Sequence, residues 1–486
     1  MPAIPLPVPR PRAGGASPLT TRLHRRTALK VSAAAGLGYF FTGPAASVVK
    51  AQGSNDRLHF AGIGVGGKGR SDIEQAGKFG DVIALCDIDE ADKHLGGAAK
   101  KWPAAKTFFD FRKLLDDKEV MKQLTGVVVS TPDHAHALPS ILAMRAGKHV
   151  YCQKPLTRTV FEARMMLETA RKFKVCTQMG NQGTAETGLR RAVELIQGGL
   201  LGDVKEVHVW TNRPIWPQAP KITGRPKGDF KTPAGVHWDE FLAGSPDRAY
   251  APGSHAFAWR GFWDFGTGAI GDMACHTANM AFMALKLAHP TKVSAEAGDV
   301  NPETCPSSAH VTMEFPKRGD LPPVTLHWYE GQKDGKKVLP PADLVAKAEK
   351  ANGGKKLVDS GSIIVGGKGI LYSPNDYGAA FVCDNGLLEG VEKGKLEKLP
   401  TNGGGDQGQK KEWVDAIKAN KPTVALSNFD YSALLTEAFL LGNVAIRSGK
   451  AFNWDGPAFK VTGNDDAMKF IKQEYRKGWD LIGEKA

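Results

Sequence analysis

Short apolar runs alternate with helically spaced apolar residues from position 57 to about position 178. The apolar runs predict strands at residues 58–61, 82–86, 126–130, 149–152 and 175–178. The spaced pattern predicts helices at about residues 68–76, through residues 141 and 146, and at about 161–173. Strands that alternate with helices are typical of βαβ units. The first part of the chain is therefore predicted to be an α/β domain with a parallel, doubly wound sheet.

The alternation of strands and helices weakens after position 178. Residues 189–196 predict a helix, and residues 204–210, 311–315 and 324–329 predict strands. Residues 204–210 alternate apolar and polar positions, as in a strand with one buried face. A second, α+β domain is therefore expected over residues 179–486, after a dinucleotide-binding domain over residues 52–178. The Gly/Lys-rich stretch 331–356 predicts an exposed insertion.

The first 51 residues differ in composition from the rest. Arg25 and Arg26 precede the apolar run 31–41, and the segment resembles a twin-arginine translocation signal. Val49 and Ala51 suit cleavage after residue 51, so we expect residues 1–51 to be a signal peptide for export to the periplasm. A disordered basic tail is the alternative. Seven basic residues and no acid lie in this stretch, which leaves +6 of the net charge of +13 on the remainder. No basic block dominates that remainder, so nucleic-acid binding is not indicated.

A glycine-rich turn follows the first predicted strand. In Gly62-Ile63-Gly64-Val65-Gly66-Gly67, we expect Gly62 to permit the tight turn and Gly64 to let the backbone approach a pyrophosphate. Gly67 is expected to allow close helix packing, and Lys68 joins the predicted cofactor-binding residues. A flavin site or a cofactor-free fold is the alternative. The sequence of residues 65–69 recurs at 365–369 between two strand-like runs, where it predicts a hairpin.

Asp87 ends the second predicted strand, 20 residues after the last glycine of the turn. A carboxylate at this place hydrogen-bonds the ribose 2′-hydroxyl of NAD. The 2′-phosphate of NADP would meet like charge. The predicted cofactor is therefore NAD rather than NADP.

Polar motifs follow two neighbouring strands, where ligands bind in open α/β sheets. Thr131, Pro132, His134 and His136 follow one strand, and Lys154 follows the next. We predict that all five line the cofactor, together with Gln182 in a later loop. The two histidines suggest a metal as an alternative, but no third ligand lies near them in sequence, and no metal site is predicted. Capping of the next helix is a second alternative for the loop.

Asp272 and His276 lie four residues apart, on one face of a predicted helix. A histidine next to a carboxylate suits general acid–base catalysis near neutral pH, whereas a buried structural pair is the alternative. Arg260 and Trp263 precede them and are predicted to contact substrate, with core packing as the alternative for the tryptophan.

The order of these motifs resembles the Gfo/Idh/MocA oxidoreductases over about residues 57–455. The resemblance implies a second domain with a mainly antiparallel open sheet and a homo-oligomer. It places Lys154 near the nicotinamide and substrate, assigns proton transfer to His276, and makes Asp272 the partner of His276. One departure is Gln153, which stands where the family usually has glutamate.

These features together predict an NAD-dependent oxidoreductase that acts on a sugar, polyol or glycoside. An exported enzyme has no dissolved NAD pool, so we expect the cofactor to stay bound and to be recycled. An NAD-dependent glycoside hydrolase, which oxidises its substrate transiently, is the first alternative. A non-catalytic sugar-binding protein is the second.

Overall fold

The first domain is a six-stranded parallel sheet with the strand order β3-β2-β1-β4-β5-β6. The computed structural model describes residues 57–215, 224–255, 257–391 and 396–483, so the predicted signal peptide lies outside the described residues. The strands are β1 Leu58–Ile63, β2 Gly80–Cys86, β3 Lys106–Phe108, β4 Gly126–Val129, β5 His149–Cys152 and β6 Thr177–Met179. The doubly wound parallel sheet is thus confirmed.

Six helices accompany this sheet, and those predicted from periodicity are present. They are Gly67–Ala76, Leu95–Lys101, Phe111–Asp116, Lys118–Gln123, Ala137–Arg145 and Val160–Phe173. The last of them begins at a capping box, because Thr159 Oγ1 accepts from the Glu162 N–H while the Glu162 carboxylate accepts from the Thr159 N–H. This cap fixes the start of the helix, and so the far end of the loop that carries Lys154 after β5.

The second sheet has ten strands and is mainly antiparallel, as the family resemblance implied. Its order is β14-β13-β12-β7-β10-β9-β8-β15-β16, with β11 paired to β10. Only β7 and β10 run parallel to each other among this sheet's strand pairs in the described part. The strands are β7 Val204–Thr211, β8 Lys292–Gly298, β9 Ser308–Phe315, β10 Val324–Lys333, β11 Lys336–Lys337, β12 Gly361–Gly366, β13 Gly369–Ser373, β14 Val382–Cys383, β15 Phe452–Asp455 and β16 Lys460–Thr462.

One long helix, Phe429–Ser448, sets the position of the helix that carries Asp272 and His276. Gly442, in the helix Phe429–Ser448, has no side chain to hold the neighbouring helix away, because a Cβ there would lie 2.6 Å from Ile270 Cδ1. The helix Gly268–Thr277 therefore packs closely on it. The other helices of this half are Thr187–Gln197, Trp238–Leu242, Asn279–Ala284, Ala342–Ala351, Gly405–Ala419 and Met468–Ile471. None of the helices in the described part combines the length and apolar character that crossing a bilayer requires.

The helix Gly405–Ala419 packs against the first domain, although that domain was predicted to end at residue 178. Its Trp413 is fully buried, with its ring centroid 5.3 Å from that of Phe60 and 6.0 Å from that of Tyr151. The parallel sheet does end at Met179. The first domain is therefore completed by a segment that lies more than 200 residues further along the chain.

Two smaller predictions have different outcomes. The repeated glycine motif at 365–369 is a hairpin, since Gly366 of β12 pairs with Gly369 of β13. The stretch 331–356 is not simply an exposed insertion. It contains the end of β10, the strand β11 and the helix Ala342–Ala351, whose Leu344 and Ala348 pack in a cluster that includes Trp210.

Candidate active site

The turn after β1 depends on the absence of side chains at two positions. Gly64 has φ +78°, and a Cβ there would lie 2.7 Å from the carbonyl oxygen of Ser130. A Cβ on Gly62 would lie 2.7 Å from Val65 Cγ1. The turn can therefore form only with glycine at these positions unless its neighbours move, in agreement with the predicted tight turn. The approach of Gly64 to a pyrophosphate stays a prediction.

The role predicted for Gly67 is wrong. Gly67 has φ +48°, and a Cβ there would meet no described atom within 4 Å. Close packing is the role of Gly69 instead, where a Cβ would lie 1.8 Å from the Gly64 carbonyl oxygen. Gly67 thus combines a left-handed backbone with open space in front of the helix Gly67–Ala76. Such a cradle at a helix N-terminus suits an anionic phosphate.

Asp87 lies at the end of β2, as predicted, and holds the glycine turn. Its Oδ2 accepts from the Val65 N–H (2.8 Å) and the Gly66 N–H (3.0 Å). Its Oδ1 accepts from the Asp89 N–H at 3.1 Å. Because each carboxylate oxygen has two lone pairs, Oδ1 can still accept a ribose hydroxyl.

One cavity runs from the glycine turn past Asp87 to Lys154. At the turn it is lined by Gly64, Gly66, Gly67 and Lys68. The Lys68 ammonium donates to Asp72 Oδ1 and to Asp406 Oδ2, at 2.8 Å each. The continuity of this space from a phosphate cradle to a partly buried lysine is what an extended dinucleotide requires.

The loop after β4 reaches the cavity through Thr131, Pro132 and Asp133, whereas the two histidines do not line it. His134 Nδ1 and Nε2 lie 3.2 Å and 2.7 Å from the carbonyl oxygens of Phe265 and Phe241. His136 Nδ1 and Nε2 lie 2.8 Å and 2.7 Å from those of Pro155 and Thr131.

A carbonyl oxygen thus lies next to each imidazole nitrogen of His134 and His136, and each neutral ring donates to one of its two. Burial lowers the pKa of His134 to about 3 and that of His136 to about 4. Contrary to the prediction, neither ring lines the cavity, and the adjacent carbonyl oxygens occupy the positions from which a metal would approach the ring nitrogens. The two histidines fix the loop instead.

Asp133 is a site residue that the sequence reasoning missed, although it lies within the motif that was singled out. It lines the cavity, and Thr267 Oγ1 donates to its Oδ2 at 2.7 Å. Burial raises the pKa of the Asp133 carboxyl to about 7 despite that hydrogen bond. This carboxyl group therefore changes its charge near neutral pH, inside the proposed cofactor cavity.

The raised pKa of Asp133 predicts a pH dependence of stability. Between about pH 4 and pH 7 the folded state binds the proton more tightly than the unfolded state, so the free energy of unfolding falls as pH rises through this window. Asp133→Asn removes this contribution. The difference in unfolding free energy between the variant and wild type should rise by up to about 4 kcal/mol from pH 4 to pH 8. Urea unfolding of both proteins at several pH values measures it, and a constant difference would contradict the prediction.

Lys154 lies where the sequence predicted, at the carboxyl end of β5, and it lines the cavity. Its Nζ donates to Asp272 Oδ1 at 2.6 Å and to the Asp272 carbonyl oxygen at 2.7 Å. The Lys154–Pro155 peptide bond is cis. Arg260 also lines the cavity, with its Nε 3.8 Å from Asp272 Oδ1. Lys154, Asp272 and Arg260 are therefore brought together as predicted.

His276 lies on the same helix as Asp272, and neither is among the described residues that line the cavity. The Asp272 carboxylate accepts a hydrogen bond from Lys154 Nζ. The His276 ring is buried, its Nδ1 has no hydrogen-bond partner in the described part, and the Tyr377 ring packs edge-on at 4.8 Å. Burial, and then the charge of Lys154, lower the pKa of His276 well below its usual value. The imidazole is therefore neutral at pH 7 and has a nitrogen able to take a proton.

Two predicted site residues lie elsewhere. Trp263 is buried away from the cavity, where its Nε1 donates to the Asn301 carbonyl oxygen at 3.2 Å and the Arg447 guanidinium stacks on its ring. Its predicted contact with substrate is wrong, and core packing, the alternative, is confirmed. Trp259 lines the cavity instead. Gln182 begins a single 3-10 turn and is not among the described residues that line the cavity.

The covering segment, residues 224–255 and 257–262, crosses the end of the first sheet beside Asp87. The His237 N–H donates to the Ile88 carbonyl oxygen at 2.8 Å, and the His237 ring stacks on Phe109 with a centroid separation of 3.8 Å. Its residues Phe241, His255, Phe257, Trp259 and Arg260 line the cavity. The cavity is therefore lined by side chains from both halves of the chain.

Asp89, His94 and His255 form a polar cluster at this end of the cavity. Their ligand-type atoms lie within 4.8 Å of one another, so these side chains could hold a divalent cation, and the sequence spacing gave no sign of them. His255 Nε2 lies 2.8 Å from Asp89 Oδ2, and His94 Nδ1 lies 3.7 Å from Asp87 Oδ2. In the structure the cluster ties the covering segment to the end of β2.

Comparisons with known proteins agree with this geometry. Residues 58–181 match the oxidoreductase family with an NAD-binding Rossmann fold, Gfo/Idh/MocA, and residues 188–321 match the C-terminal α/β domain of the same family. The WlbA dehydrogenase from Chromobacterium violaceum, solved with NADH and UDP-GlcNAcA, shares the fold at a TM-score of 0.55 and 17% identity, over 83% of this chain and 97% of that one.

Two curated relatives are similar over part of the chain. Inositol 2-dehydrogenase of Salmonella typhimurium is 30% identical over 129 residues, which are 26% of this chain and 37% of that protein. An alpha-N-acetylgalactosaminidase of Shewanella oneidensis is 33% identical over 154 residues, which are 29% of this chain and 32% of that protein. The similarity thus spans about a third of each relative's length. With both domains matched and a cavity that suits a dinucleotide, the chain belongs to the Gfo/Idh/MocA family of NAD-dependent oxidoreductases.

Proposed function

We propose that this protein oxidises a hydroxyl group of a sugar, polyol or glycoside. The observation that carries the proposal is the Lys154 ammonium, which lines the same cavity as the glycine turn and is fixed by two hydrogen bonds to Asp272. A lysine held in this way can hydrogen-bond the reacting hydroxyl group of a substrate. The relative that dehydrogenates inositol supports a polyhydroxylated substrate.

The protein's own residues take on the proton chemistry in this proposal. A bound nicotinamide would accept the hydride. His276, neutral and with an unpartnered Nδ1 within the described part, accepts the hydroxyl proton as the carbonyl forms. Lys154 orients the hydroxyl oxygen, and Asp272 keeps Lys154 in place. The Arg260 guanidinium stacks at 4.2 Å from the Trp259 ring centroid, so it offers a rigid donor to further substrate hydroxyls.

We propose further that the cofactor is resident. The covering segment is attached to the end of the first sheet by the contacts of His237 and His255, and it closes the cavity beside Asp87. A ligand that lies partly under this segment would dissociate more slowly than one on an open surface. A resident cofactor also suits an exported enzyme, and we propose that residues 1–51 direct export by the twin-arginine route to the periplasm.

The cofactor in this proposal is NAD rather than NADP, because the Asp87 carboxylate lies beside the glycine turn. Replacing Asp87 by serine removes the charge that would repel a 2′-phosphate. The ratio of the NADP to the NAD dissociation constant should fall about tenfold, equivalent to about 1.4 kcal/mol. Calorimetric titration of cofactor-free protein with both nucleotides measures it. Asp92→Ser, which removes an exposed carboxylate nearby, is the matched control and should leave the ratio unchanged.

An NAD-dependent glycoside hydrolase is the second candidate function. It is favoured by the similarity to the alpha-N-acetylgalactosaminidase, which is 33% identical over 154 residues. In this alternative a ring hydroxyl is oxidised transiently, the aglycone is eliminated, water adds, and the hydride returns. The same lysine and histidine serve both reactions, so the geometry of the site does not separate them.

The experiment that tests the proposal is absorbance near ~340 nm, where reduced nicotinamide absorbs, on protein purified without added cofactor. Sugars, polyols and aryl glycosides are then added in turn. Reduction of a bound nicotinamide by a sugar or polyol supports the oxidoreductase. Release of an aglycone without net reduction establishes the glycosidase instead. Bound nicotinamide that no member of the panel reduces, with no aglycone released, contradicts both functions. Protein without bound nicotinamide contradicts a resident cofactor.

A further inference from the structure

A fully buried carboxylate joins four side chains next to the Lys154 loop. Asp72 Oδ1 accepts from Lys68 Nζ and Lys410 Nζ, at 2.8 Å each. Asp72 Oδ2 accepts from Gln153 Nε2 at 2.8 Å and from Ser130 Oγ at 3.0 Å. Four elements therefore meet at one carboxylate. They are the helix Gly67–Ala76, the ends of β4 and β5, and the helix Gly405–Ala419.

This carboxylate is ionised. Burial alone would raise the pKa of Asp72, but the ammonium groups of Lys410 and Lys68 outweigh burial and bring it to about 2. Lys410 is itself fully buried and lies 3.7 Å from the centroid of the Tyr151 ring. A buried charge of this kind is retained only with partners. The network thus places a permanent negative charge beside Gln153.

Gln153 connects that charge to Lys154. Its Nε2 donates to Asp72, and its Oε1 accepts from the Lys154 N–H at 3.2 Å. The amide lies close to Gly180, where a Cβ would come within 2.6 Å of Gln153 Nε2, so the absence of a side chain at position 180 leaves room for it. A glutamate at 153 could accept from Lys154 but could not donate to Asp72, and two carboxylates would lie about 3 Å apart. The presence of Asp72 therefore accounts for glutamine where the family usually has glutamate.

We propose that Asp72 is a positioning residue, which acts through Gln153 to hold Lys154 against Asp272 and to couple it to the helix that carries the glycine turn. The inference rests on the proposed role of Lys154 in the reaction. Asp72 acts without touching substrate or cofactor. The proposal also explains why this chain has a carboxylate at position 72 and an amide, rather than the usual glutamate, at position 153.

The test exchanges the carboxylate and the amide. In Asp72→Asn alone, the lysine ammonium groups take the new amide oxygen, and its NH2 faces the NH2 of Gln153. The glutamine must then turn its oxygen toward position 72, and it releases the Lys154 N–H. Gln153→Glu alone faces two carboxylates toward each other. In the double variant Asp72→Asn/Gln153→Glu, the new amide at position 72 can accept from Lys410 and donate to the new carboxylate at position 153. That carboxylate still accepts from the Lys154 N–H, so both hydrogen bonds are restored with the charge moved.

The first readout needs neither substrate nor cofactor. Acetic anhydride is added to each protein, and acylation of Lys154 relative to exposed Lys205 is followed by peptide mass spectrometry. Each single variant should acylate Lys154 about fivefold faster, because Nζ is no longer held to Asp272, and the double variant should return to the wild-type rate. With a substrate from the panel above, kcat should fall about tenfold in each single variant with KM nearly unchanged, and recover in the double variant.

The matched control is Asp406→Asn, which removes a carboxylate from the same Lys68 without touching Gln153. It should leave the acylation of Lys154 unchanged. If Asp72→Asn does not fold, Gln153→Leu breaks the same link while Asp72 keeps both lysines. Variants that melt at lower temperature but acylate Lys154 at the wild-type rate would show that Asp72 only stabilises the fold, and would overturn the proposal. Because this readout requires no reaction, its failure is distinguishable from failure of the proposed function.

Discussion

Replacing Lys154 by methionine should lower kcat by about 10²- to 10⁴-fold while the protein keeps its fold and its bound nucleotide. The reason is local, because the Lys154 ammonium lines the cavity and is held by Asp272 at 2.6 Å. Methionine has a similar volume but neither donates a hydrogen bond nor carries charge. The measurement is the rate of reduction of bound nicotinamide in a single turnover, followed at ~340 nm.

A control and a second variant make this prediction specific. Lys205→Met removes an exposed lysine on β7 and should leave the rate unchanged. Lys154→Arg keeps the charge but brings a wider planar group to a site built around a single ammonium, so it should recover only part of the rate. If the methionine variant retained full activity at wild-type KM, hydroxyl binding by Lys154 would be excluded.

The sequence was informative where a physical signal is local. Hydrophobic runs located the strands β1, β2, β4, β5 and β6, because each is largely buried on both faces. The same signal missed β3, whose three residues are mostly exposed. Motif spacing placed Gly64, Asp87 and Lys154 along one cavity, since the carboxyl ends of parallel strands share one edge.

The features of the fold and the site that were not predicted depend on contacts between distant parts of the chain. Periodicity cannot show such contacts. Asp72 and Lys410 are 338 positions apart, and neither had a pattern that marked it as buried. His134 and His136 had the spacing of candidate ligands, but only the structure shows carbonyl oxygens against both nitrogens of each ring. Trp263 was assigned by nearness in sequence to Asp272, although its side chain packs in a different place.

Replacing His276 by glutamine should lower kcat by about 10²- to 10⁴-fold, because the proton acceptor of the proposed reaction is lost. Burial and the charge of Lys154 lower the pKa of His276, so the neutral, accepting form persists as pH falls below 6.5. For the wild type, the acid limb due to this group should therefore lie below pH 6.5 in a plot of log kcat against pH. In the variant that limb should be absent, while a change near pH 7 from Asp133 should remain.

The choice of control decides how this result is interpreted, because removing any buried imidazole can disturb packing. His327 on β10 also has a pKa lowered by burial, to about 4, and stacks on His208 at a centroid separation of 4.9 Å in the second sheet. His327→Gln should leave both kcat and its pH profile unchanged. If His276→Gln kept the acid limb of the wild type, another group would have to accept the proton. Asp133, which lines the cavity together with Lys154 and whose pKa is raised to about 7, would then be the residue to replace next.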